Sequence, residues 1–205
     1  MSNLRMAANE YCKPEDIYII ADGDDELLGR QVLKLFNSVF QKEGVWFLYS
    51  NFMTSNGGVG YSRPFPASTI DNNKYRAYPF VTSHLRAFYT QLFRNIKEKD
   101  LKDGNGQYWK AANDVAICVP ILEMSHRRVK YLPELTYKYN ANTGLNNHKI
   151  RLDEQKTNNM KVRQMPKYGA LAELFPTNKT TNATQTSFNT TATLGLTTNA
   201  PAAHN

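Results

Sequence analysis

A short apolar run that ends in a group of carboxylates is the feature that most constrains the fold of this chain. The run IYIIADGDDELLG, residues 17–29, leads β-branched and aromatic residues directly into Asp22, Asp24 and Asp25. Apolar runs of this length are typical of buried strands. In open α/β sheets, ligands bind beyond the carboxyl ends of the strands, which is where these carboxylates would lie. The run therefore predicts an α/β fold with a functional site at the end of this strand.

The residues that follow predict a helix and then a second strand. Residues 26–42 have apolar side chains at helical spacing, and Asp24 or Asp25 is expected to cap this helix. The apolar face consists of Leu28, Val32, Leu35, Phe36 and Val39. VWFLYSNF, residues 45–52, is rich in β-forming residues. Because a strand–helix–strand crossover joins parallel strands, we predict that the strands at 16–21 and 45–52 are parallel and adjacent.

Three further segments complete the predicted order of elements. Apolar side chains at helical spacing predict a helix over residues 83–99. A buried helix is predicted over residues 113–125, with Asn113 or Asp114 as its cap. Residues 129–140 predict a strand with a proline near its edge.

The spacing of the acidic residues favours a bound cation. Asp22 and Asp24 flank Gly23, which permits a tight turn that brings both side chains together. Carboxylates crowded in this way repel one another unless a cation lies between them. Mg²⁺ and Mn²⁺ take oxygen ligands and commonly bridge them to substrate phosphates. The alternative is an ordinary helix cap, which a single aspartate at a strand–helix junction would explain.

Composition and charge narrow the classes of function. The formal net charge is +7, but the 25 lysines and arginines are spread along the chain, with HRRVK at 126–130 as the densest cluster. We therefore predict no nucleic-acid partner, because such binding needs a basic stripe, whereas an anionic small substrate fits the charge. No apolar run approaches the ~20 residues that span a bilayer, and residues 1–16 do not resemble a signal peptide. These features predict a cytoplasmic protein without a membrane span.

The C-terminal part of the chain differs in composition from the rest. Residues 157–205 are poor in large apolar side chains, and threonine and asparagine dominate from Leu174 onward. Such a stretch cannot bury enough apolar surface to offset the entropy that is lost on ordering. We predict a folded domain at residues 1–156 and a mostly disordered tail at residues 157–205.

Several blocks of the sequence resemble the family-2-type nucleotide-sugar glycosyltransferases. The block IYIIADGDDELLGRQVLKLFN resembles the Asp-x-Asp region of these enzymes. The blocks TSHLRAFYTQLFRNI, WKAANDVAICVPILEMS and VKYLPELTYKYNANTGLNNH follow in the family's order, so that the similarity covers roughly residues 4–150. The resemblance implies a partial GT-A fold, a Rossmann-like three-layer sandwich with a mixed, mostly parallel sheet.

The resemblance also implies roles for individual residues. Asp22 and Asp24 would hold Mn²⁺ or Mg²⁺ and, through it, the diphosphate of a nucleotide-sugar donor, with Asp25 as a further ligand or helix cap. Asp114 would be the general base that deprotonates a hydroxyl acceptor on a glycan, lipid or protein during an inverting transfer. The alternative for Asp114 is a helix cap. His148 would complete the metal shell or lie free on the surface.

Two other groups of residues have open interpretations. Gly57, Gly58 and Gly60 fall where the family has an acceptor loop, although a flexible turn explains them equally well. Arg127 and Arg128 would either neutralise the leaving diphosphate or form a solvated basic face.

The resemblance begins partway through the family's domain. The strands that grip the nucleotide base are expected N-terminal to residue 1, and without them an edge of the sheet would stay unpaired. A truncated chain, a partner chain that completes the sheet and a degenerate paralogue would each explain this pattern. The alternative to an active enzyme is therefore a non-catalytic sugar-binding or partner module.

Overall fold

The protein folds around one mixed β-sheet with helices on both faces. The computed structural model describes residues 1–142, 151–176 and 193–197, the last range as backbone only. The strands β1 to β6 span Ile17–Asp22, Glu26–Leu27, Phe47–Thr54, Arg86–Tyr89, Val129–Tyr139 and Thr193–Thr197. The helices α1 to α6 span Ser2–Glu10, Val32–Glu43, Ala67–Asp71, Thr90–Arg94, Asn113–Ser125 and Leu152–Gln164. Short 3₁₀ turns lie at Tyr75–Ala77 and Glu98–Leu101.

The sheet has the strand order β2-β5-β3-β4-β1-β6. β4 is antiparallel to both of its neighbours, and β2 is antiparallel to β5. β5 is parallel to β3, and β6 is parallel to β1. The mixed α/β class is confirmed. The prediction of a mostly parallel sheet is wrong, because antiparallel pairings are the majority among the described strands.

The predicted strand–helix–strand unit is present, but its two strands are not adjacent. Arg86 of β4 pairs with Ile20 of β1 on one side and with Tyr49 of β3 on the other. β1 and β3 therefore run in the same direction with β4 between them. The spacing rule for crossovers gives the direction of the second strand, but it does not show that a later strand is inserted between the two.

The helix predicted over residues 83–99 is instead the four-residue strand β4 followed by the short helix α4. Leu85, Phe88 and Leu92 have helical spacing in the sequence, and all three are fully buried. A short strand whose two faces are both covered has the same density of apolar residues as a buried helix. Periodicity therefore does not distinguish the two structures here.

Helix α2 begins later than the sequence predicts. Residues 26–27 form β2, and Gly29 in the following turn adopts φ of +104°, a conformation that favours glycine. Gln31 precedes the first helical residue, and no side chain caps this helix end. Neither Asp24 nor Asp25 is therefore the cap, and helix capping does not explain the acidic group.

The buried helix and the last long strand of the prediction are confirmed. α5 covers residues 113–125, and its side chains from Val115 onward are all buried. Ala112 occupies the cap position with φ of +63°, so that neither Asn113 nor Asp114 is the cap. Pro133 lies in a bulge of β5, between the residues that pair with β3. On the opposite edge of β5, β2 pairs only with Tyr137 and Lys138 and does not extend to Pro133. The proline therefore costs no hydrogen bond to a neighbouring strand.

Alternate residues of β1 pack into two separate cores. Tyr18 and Ile20 join a cluster with residues of α1, α4 and α5. Ile17 and Ile19 pack with the apolar side of α2 on the other face of the sheet. The buried residues of α2 are Val32, Phe36, Val39 and Phe40. The sheet thus lies between two helical layers.

The packed part of the chain extends beyond the predicted domain boundary. The boundary between residues 156 and 157 falls inside α6, whose Val162 is buried in a cluster with residues of α5. Leu174 is buried in the core that contains α1 and α5. The rest of the predicted tail, residues 177–192 and 198–205, lies outside the described residues. Among the helices of the described ranges, none combines the length and the apolar character needed to cross a lipid bilayer.

Candidate functional site

The carboxyl end of β1 faces the residues that precede β4. Asp22 is the last residue of β1, and the N–H of Asp25 donates to the Asp22 carbonyl at 3.2 Å to close a turn. Ile20 pairs with Arg86 in antiparallel register. Asp22 lies two positions after Ile20, and His84 lies two positions before Arg86. The register therefore brings these two polar residues to the same edge of the sheet.

The end of β5 holds the acidic turn in place. The backbone N–H of Asp22 donates to the Tyr137 hydroxyl at 2.8 Å. The backbone N–H of Asn140 donates to Asp25 Oδ1 at 2.7 Å. Because Tyr137 also stacks on His84, the contacts of β5 fix the two carboxylates relative to the imidazole.

Asp22, Asp25 and His84 form a group whose polar atoms are able to share one ligand. One oxygen of each carboxylate and one ring nitrogen of the histidine all lie within 4.8 Å of one another. Asp25 Oδ2 and His84 Nδ1 are buried without a hydrogen-bond partner. Each such unpaired buried atom costs about 1–3 kcal/mol. These atoms therefore fit a site for a cation, which would give both of them a partner.

Aromatic rings hold His84 in a fixed orientation. Its ring stacks on Tyr137 with centroids 4.8 Å apart and planes 8° apart, and on Tyr139 with centroids 5.5 Å apart. Phe52 meets the same ring edge-on at 5.7 Å. Burial lowers the pKa of His84 well below its usual value, and the Arg86 cation lowers it further. The imidazole is therefore neutral and has the lone pair that a metal ligand needs.

The two carboxylates of the group are destabilised in their ionised form. Burial raises the pKa of Asp22; the Arg86 cation opposes this effect, and the charge of Asp24 adds to it. Burial also raises the pKa of Asp25; the hydrogen bonds from the Asn140 N–H and the Tyr137 hydroxyl oppose this effect, and the charges of Asp22 and Asp24 add to it. A divalent cation would compensate both charges, so that the chemistry of the group agrees with its geometry.

The structure rearranges the predicted set of metal ligands. Asp22 and Asp25 belong to the group. Asp24 is adjacent in sequence but exposed, and it does not belong to the group. His148 lies outside the described residues. His84 belongs to the block TSHLRAFY, but no chemical role was predicted for it from the sequence. The available signal was that His84 and Arg86 interrupt an otherwise apolar run.

Arg86 connects the acidic group with Asp114 at the start of α5. Arg86 Nη1 lies 3.7 Å from Asp114 Oδ2, with the arginine side chain 6% exposed and the aspartate side chain 31% exposed. Asp22 also interacts electrostatically with Arg86. The N–H of Val115 donates to Asp114 Oδ1 at 2.9 Å. Asp114 therefore lies in the same site as Asp22 and keeps access to solvent.

The glycine-containing loop after β3 forms a tight turn next to the site. The N–H of Thr54 donates to the Gly58 carbonyl at 2.7 Å, and Gly57 adopts φ of +89°. A Cβ at Gly60 would lie 2.3 Å from the Phe52 ring. The loop is thus packed directly against the aromatic group that supports the histidine.

Arg127 and Arg128, for which diphosphate binding and a solvated basic face were both open, lie at the other end of the sheet. The N–H of Trp46, just before β3, donates to the Arg128 carbonyl, and the Arg128 guanidinium lies 4.0 Å from the Trp46 ring centroid. Arg127 forms an ion pair with Asp71 at 3.0 Å. The carboxyl ends of β1 and β3 carry the site, so that neither arginine is brought to it.

Comparison of the sequence with protein-family models finds no matching model, and no curated protein matches it. The resemblance to glycosyltransferases therefore stays a prediction.

Proposed function

We propose that this chain transfers a sugar from a nucleotide-sugar donor to a hydroxyl acceptor, with a divalent cation held by Asp22, Asp25 and His84. The observation that carries the proposal is the convergence of these side chains, two of which have a buried polar atom without a hydrogen-bond partner. The group lies at the carboxyl end of β1, where α/β proteins bind ligands. The sheet between two helical layers and the nearby Asp114 support the GT-A interpretation of the sequence.

The ligand set favours Mn²⁺ over Mg²⁺. Two carboxylates supply the oxygen ligands that both ions accept. The imidazole of His84 is a softer ligand, which favours a transition metal over Mg²⁺. When bound, the cation would compensate the charge that develops on the leaving diphosphate. Asp24 and His148 remain proposed as additional ligands.

Asp114 is proposed as the general base. Its Oδ1 accepts from the N–H of Val115 and its Oδ2 lies near Arg86, so that the carboxylate is held in one orientation. Asp114 takes the proton of the acceptor hydroxyl as the acceptor oxygen attacks the anomeric carbon. The bond between this carbon and the diphosphate oxygen breaks, and the diphosphate leaves with the bonding electrons. A single displacement of this kind inverts the anomeric configuration.

Cation binding is the first test of the proposal. Mn²⁺ is titrated into the wild-type chain and into Asp22→Asn and Asp25→Asn, with isothermal calorimetry as the readout. Glu26→Gln is the matched control, because Glu26 is an exposed acid next to the group and pairs with Lys138 at 3.3 Å. We expect each aspartate variant to lower the affinity at least about tenfold and the control to leave it unchanged. Equal affinity in all four chains would contradict the proposed site.

A turnover assay distinguishes an active glycosyltransferase from a non-catalytic binding module. The chain is incubated with Mn²⁺ and a panel of UDP- and GDP-sugars, and release of the nucleoside diphosphate is followed by chromatography. We expect Asp114→Asn to abolish release while it leaves the Mn²⁺ affinity intact. Binding of Mn²⁺ and UDP without release from any donor would instead support the non-catalytic sugar-binding module.

A further inference from the structure

An exposed aromatic side chain lies on the loop beside the site. Tyr61 is 54% exposed, and Val59 in the same loop is 68% exposed. Single exposed apolar residues are common on protein surfaces and need no explanation. Here two of them lie in one short loop that packs against the support of His84. Their position next to the proposed cation site, more than their exposure, indicates a role in ligand binding.

The loop holds the Tyr61 ring in a fixed position. The N–H of Gly60 donates to the Phe52 carbonyl at 2.7 Å, and Val59 forms a β-bridge with Met53. The Tyr61 ring meets the Phe52 ring edge-on, with centroids 5.9 Å apart and planes 87° apart. A ring that is fixed before binding loses little conformational entropy when a ligand packs on it.

Polar and charged groups lie next to this ring. Phe52 contacts Tyr61 on one side and His84 on the other, so that the ring lies one side chain away from the proposed cation site. The hydroxyl end of Tyr61 is turned inward, where it hydrogen-bonds with Ser83 and interacts electrostatically with Asp114 and Arg86. The loop therefore presents an apolar surface near the carboxylate that is proposed as general base.

We propose that Tyr61 and Val59 form an acceptor subsite on which a sugar ring stacks, so that the acceptor hydroxyl belongs to a carbohydrate. This inference rests on the proposed function and names its acceptor class. A pyranose has an apolar C–H face that packs on an aromatic ring, and its edge carries hydroxyls that hydrogen-bond to a carboxylate such as Asp114. The match between an apolar ring and an adjacent carboxylate is the argument for this occupant.

The same surface fits the other acceptor classes less well. An acyl chain needs a longer apolar groove than two neighbouring side chains provide. An extended peptide would need free backbone groups, but the loop already pairs the N–H of Gly60 with Phe52 and the N–H of Thr54 with Gly58. A single sugar ring needs neither feature.

Saturation-transfer NMR with defined carbohydrates tests the subsite. The probes are methyl glycosides of glucose, galactose, mannose and N-acetylglucosamine, together with their short β-1,4-linked oligomers. The variants are Tyr61→Ala and Tyr61→Phe, and Tyr11→Ala is the control, because Tyr11 is 69% exposed at the end of α1. We expect the ring C–H protons of at least one carbohydrate to receive saturation. Tyr61→Ala should weaken that binding about five- to tenfold, whereas Tyr61→Phe and Tyr11→Ala should leave it within about twofold.

The outcomes separate this inference from the function on which it rests. If the wild-type chain binds Mn²⁺ and UDP, but Tyr61→Ala binds carbohydrate as tightly as the wild type does, the subsite is overturned and the proposed function is not. Binding of a serine peptide or an acyl glycerol, with no signal from any carbohydrate, also overturns it. Failure of the wild-type chain to bind Mn²⁺ and UDP overturns the proposed function. Tyr61→Ala is expected to keep the wild-type Mn²⁺ affinity. This result would show that the cation site of the variant remains folded.

Discussion

At the scale of single residues, His84 combines two properties that rarely occur together in a structural histidine. Its ring is packed between aromatic side chains, and its Nδ1 is buried without a partner. We predict that His84→Phe keeps the packing and removes the ligand atom. Without metal, the variant should unfold at the wild-type temperature or above it, because no unpaired nitrogen remains buried. Added Mn²⁺ should raise the unfolding temperature of the wild type but not of the variant.

Thermal unfolding in EDTA and in Mn²⁺ provides the measurement for His84→Phe. Loss of stability in EDTA together with an unchanged response to Mn²⁺ would show that the histidine has a packing role alone.

Cys118 gives a prediction about pH at the same scale. The thiol is fully buried on α5, and burial raises its pKa to about 11. A free cysteine with a pKa near 8.5 is partly ionised at pH 8, whereas this thiol stays protonated because its pKa lies above that pH. In a Cys12→Ser background, we predict that Cys118 resists iodoacetamide at pH 8 in the native chain and reacts rapidly in urea. Rapid alkylation in the native chain would contradict the buried environment.

At the scale of elements, β4 joins the two halves of the site through Arg86. The arginine is buried between Asp22 of β1 and Asp114 of α5, so that its removal leaves two carboxylates without a nearby cation. We predict that Arg86→Met lowers the free energy of unfolding by about 2–4 kcal/mol, somewhat less than for a fully buried pair because Asp114 is partly exposed. Arg86→Lys should cost less, because it keeps the charge.

Urea denaturation of both Arg86 variants, and of Arg86→Met combined with Asp114→Asn, measures this coupling. The second substitution should recover part of the loss, because it removes one of the unopposed charges. Additive losses in the double variant would show that the two side chains do not interact.

The elements that the sequence predicted well are the two longest runs in its second half. α5 and β5 were predicted nearly to the residue. α5 is mostly apolar and is buried from Val115 to its end, whereas β5 mixes buried and exposed side chains along a long run that is rich in β-forming residues. β4 was not predicted, because a strand of four residues that is covered on both faces has no distinctive period. Its insertion between β1 and β3 depends on contacts that are distant in sequence, which no local pattern contains.

In the candidate site, likewise, some residues were predicted from the sequence and others were not. Asp22 was identified because the sequence shows acidic residues at the end of a predicted strand, whereas the role of Asp114 was implied by the resemblance to glycosyltransferases. The convergence of Asp25 with His84 was not predicted, because it depends on the register between β1 and β4 and on the Tyr137 ring of β5. The sequence predicted a helix from residue 26, so that Asp24 or Asp25 was expected to be its cap. Residues 26–27 instead form β2, and a turn follows.

At the scale of the whole molecule, a buried ion pair attaches the C-terminal segment to the rest of the fold. Arg76 Nε and Nη2 donate to the two oxygens of Glu123 at 2.7 and 2.6 Å. Arg76 Nη1 donates to the Val162 carbonyl on α6, and the N–H of Tyr168 donates to Glu123. One carboxylate of α5 thus organises the loop before β4, α6 and the residues after it. This explains how a polar segment that composition assigned to a tail belongs to the packed structure.

The attachment predicts a non-additive response to substitution. Arg76→Met leaves the Glu123 carboxylate, which is fully buried, without its cation, and should lower the free energy of unfolding by about 3–5 kcal/mol. Arg76→Met combined with Glu123→Met removes both charges and should recover most of this loss, because a buried pair is often replaced by apolar side chains at little cost. Urea denaturation measures both effects, and limited proteolysis should show faster cleavage between residues 165 and 176 in the single variant than in the double variant. If the double variant is as unstable as the single one, the backbone contacts to Val162 and Tyr168, more than the paired charges, hold the segment in place.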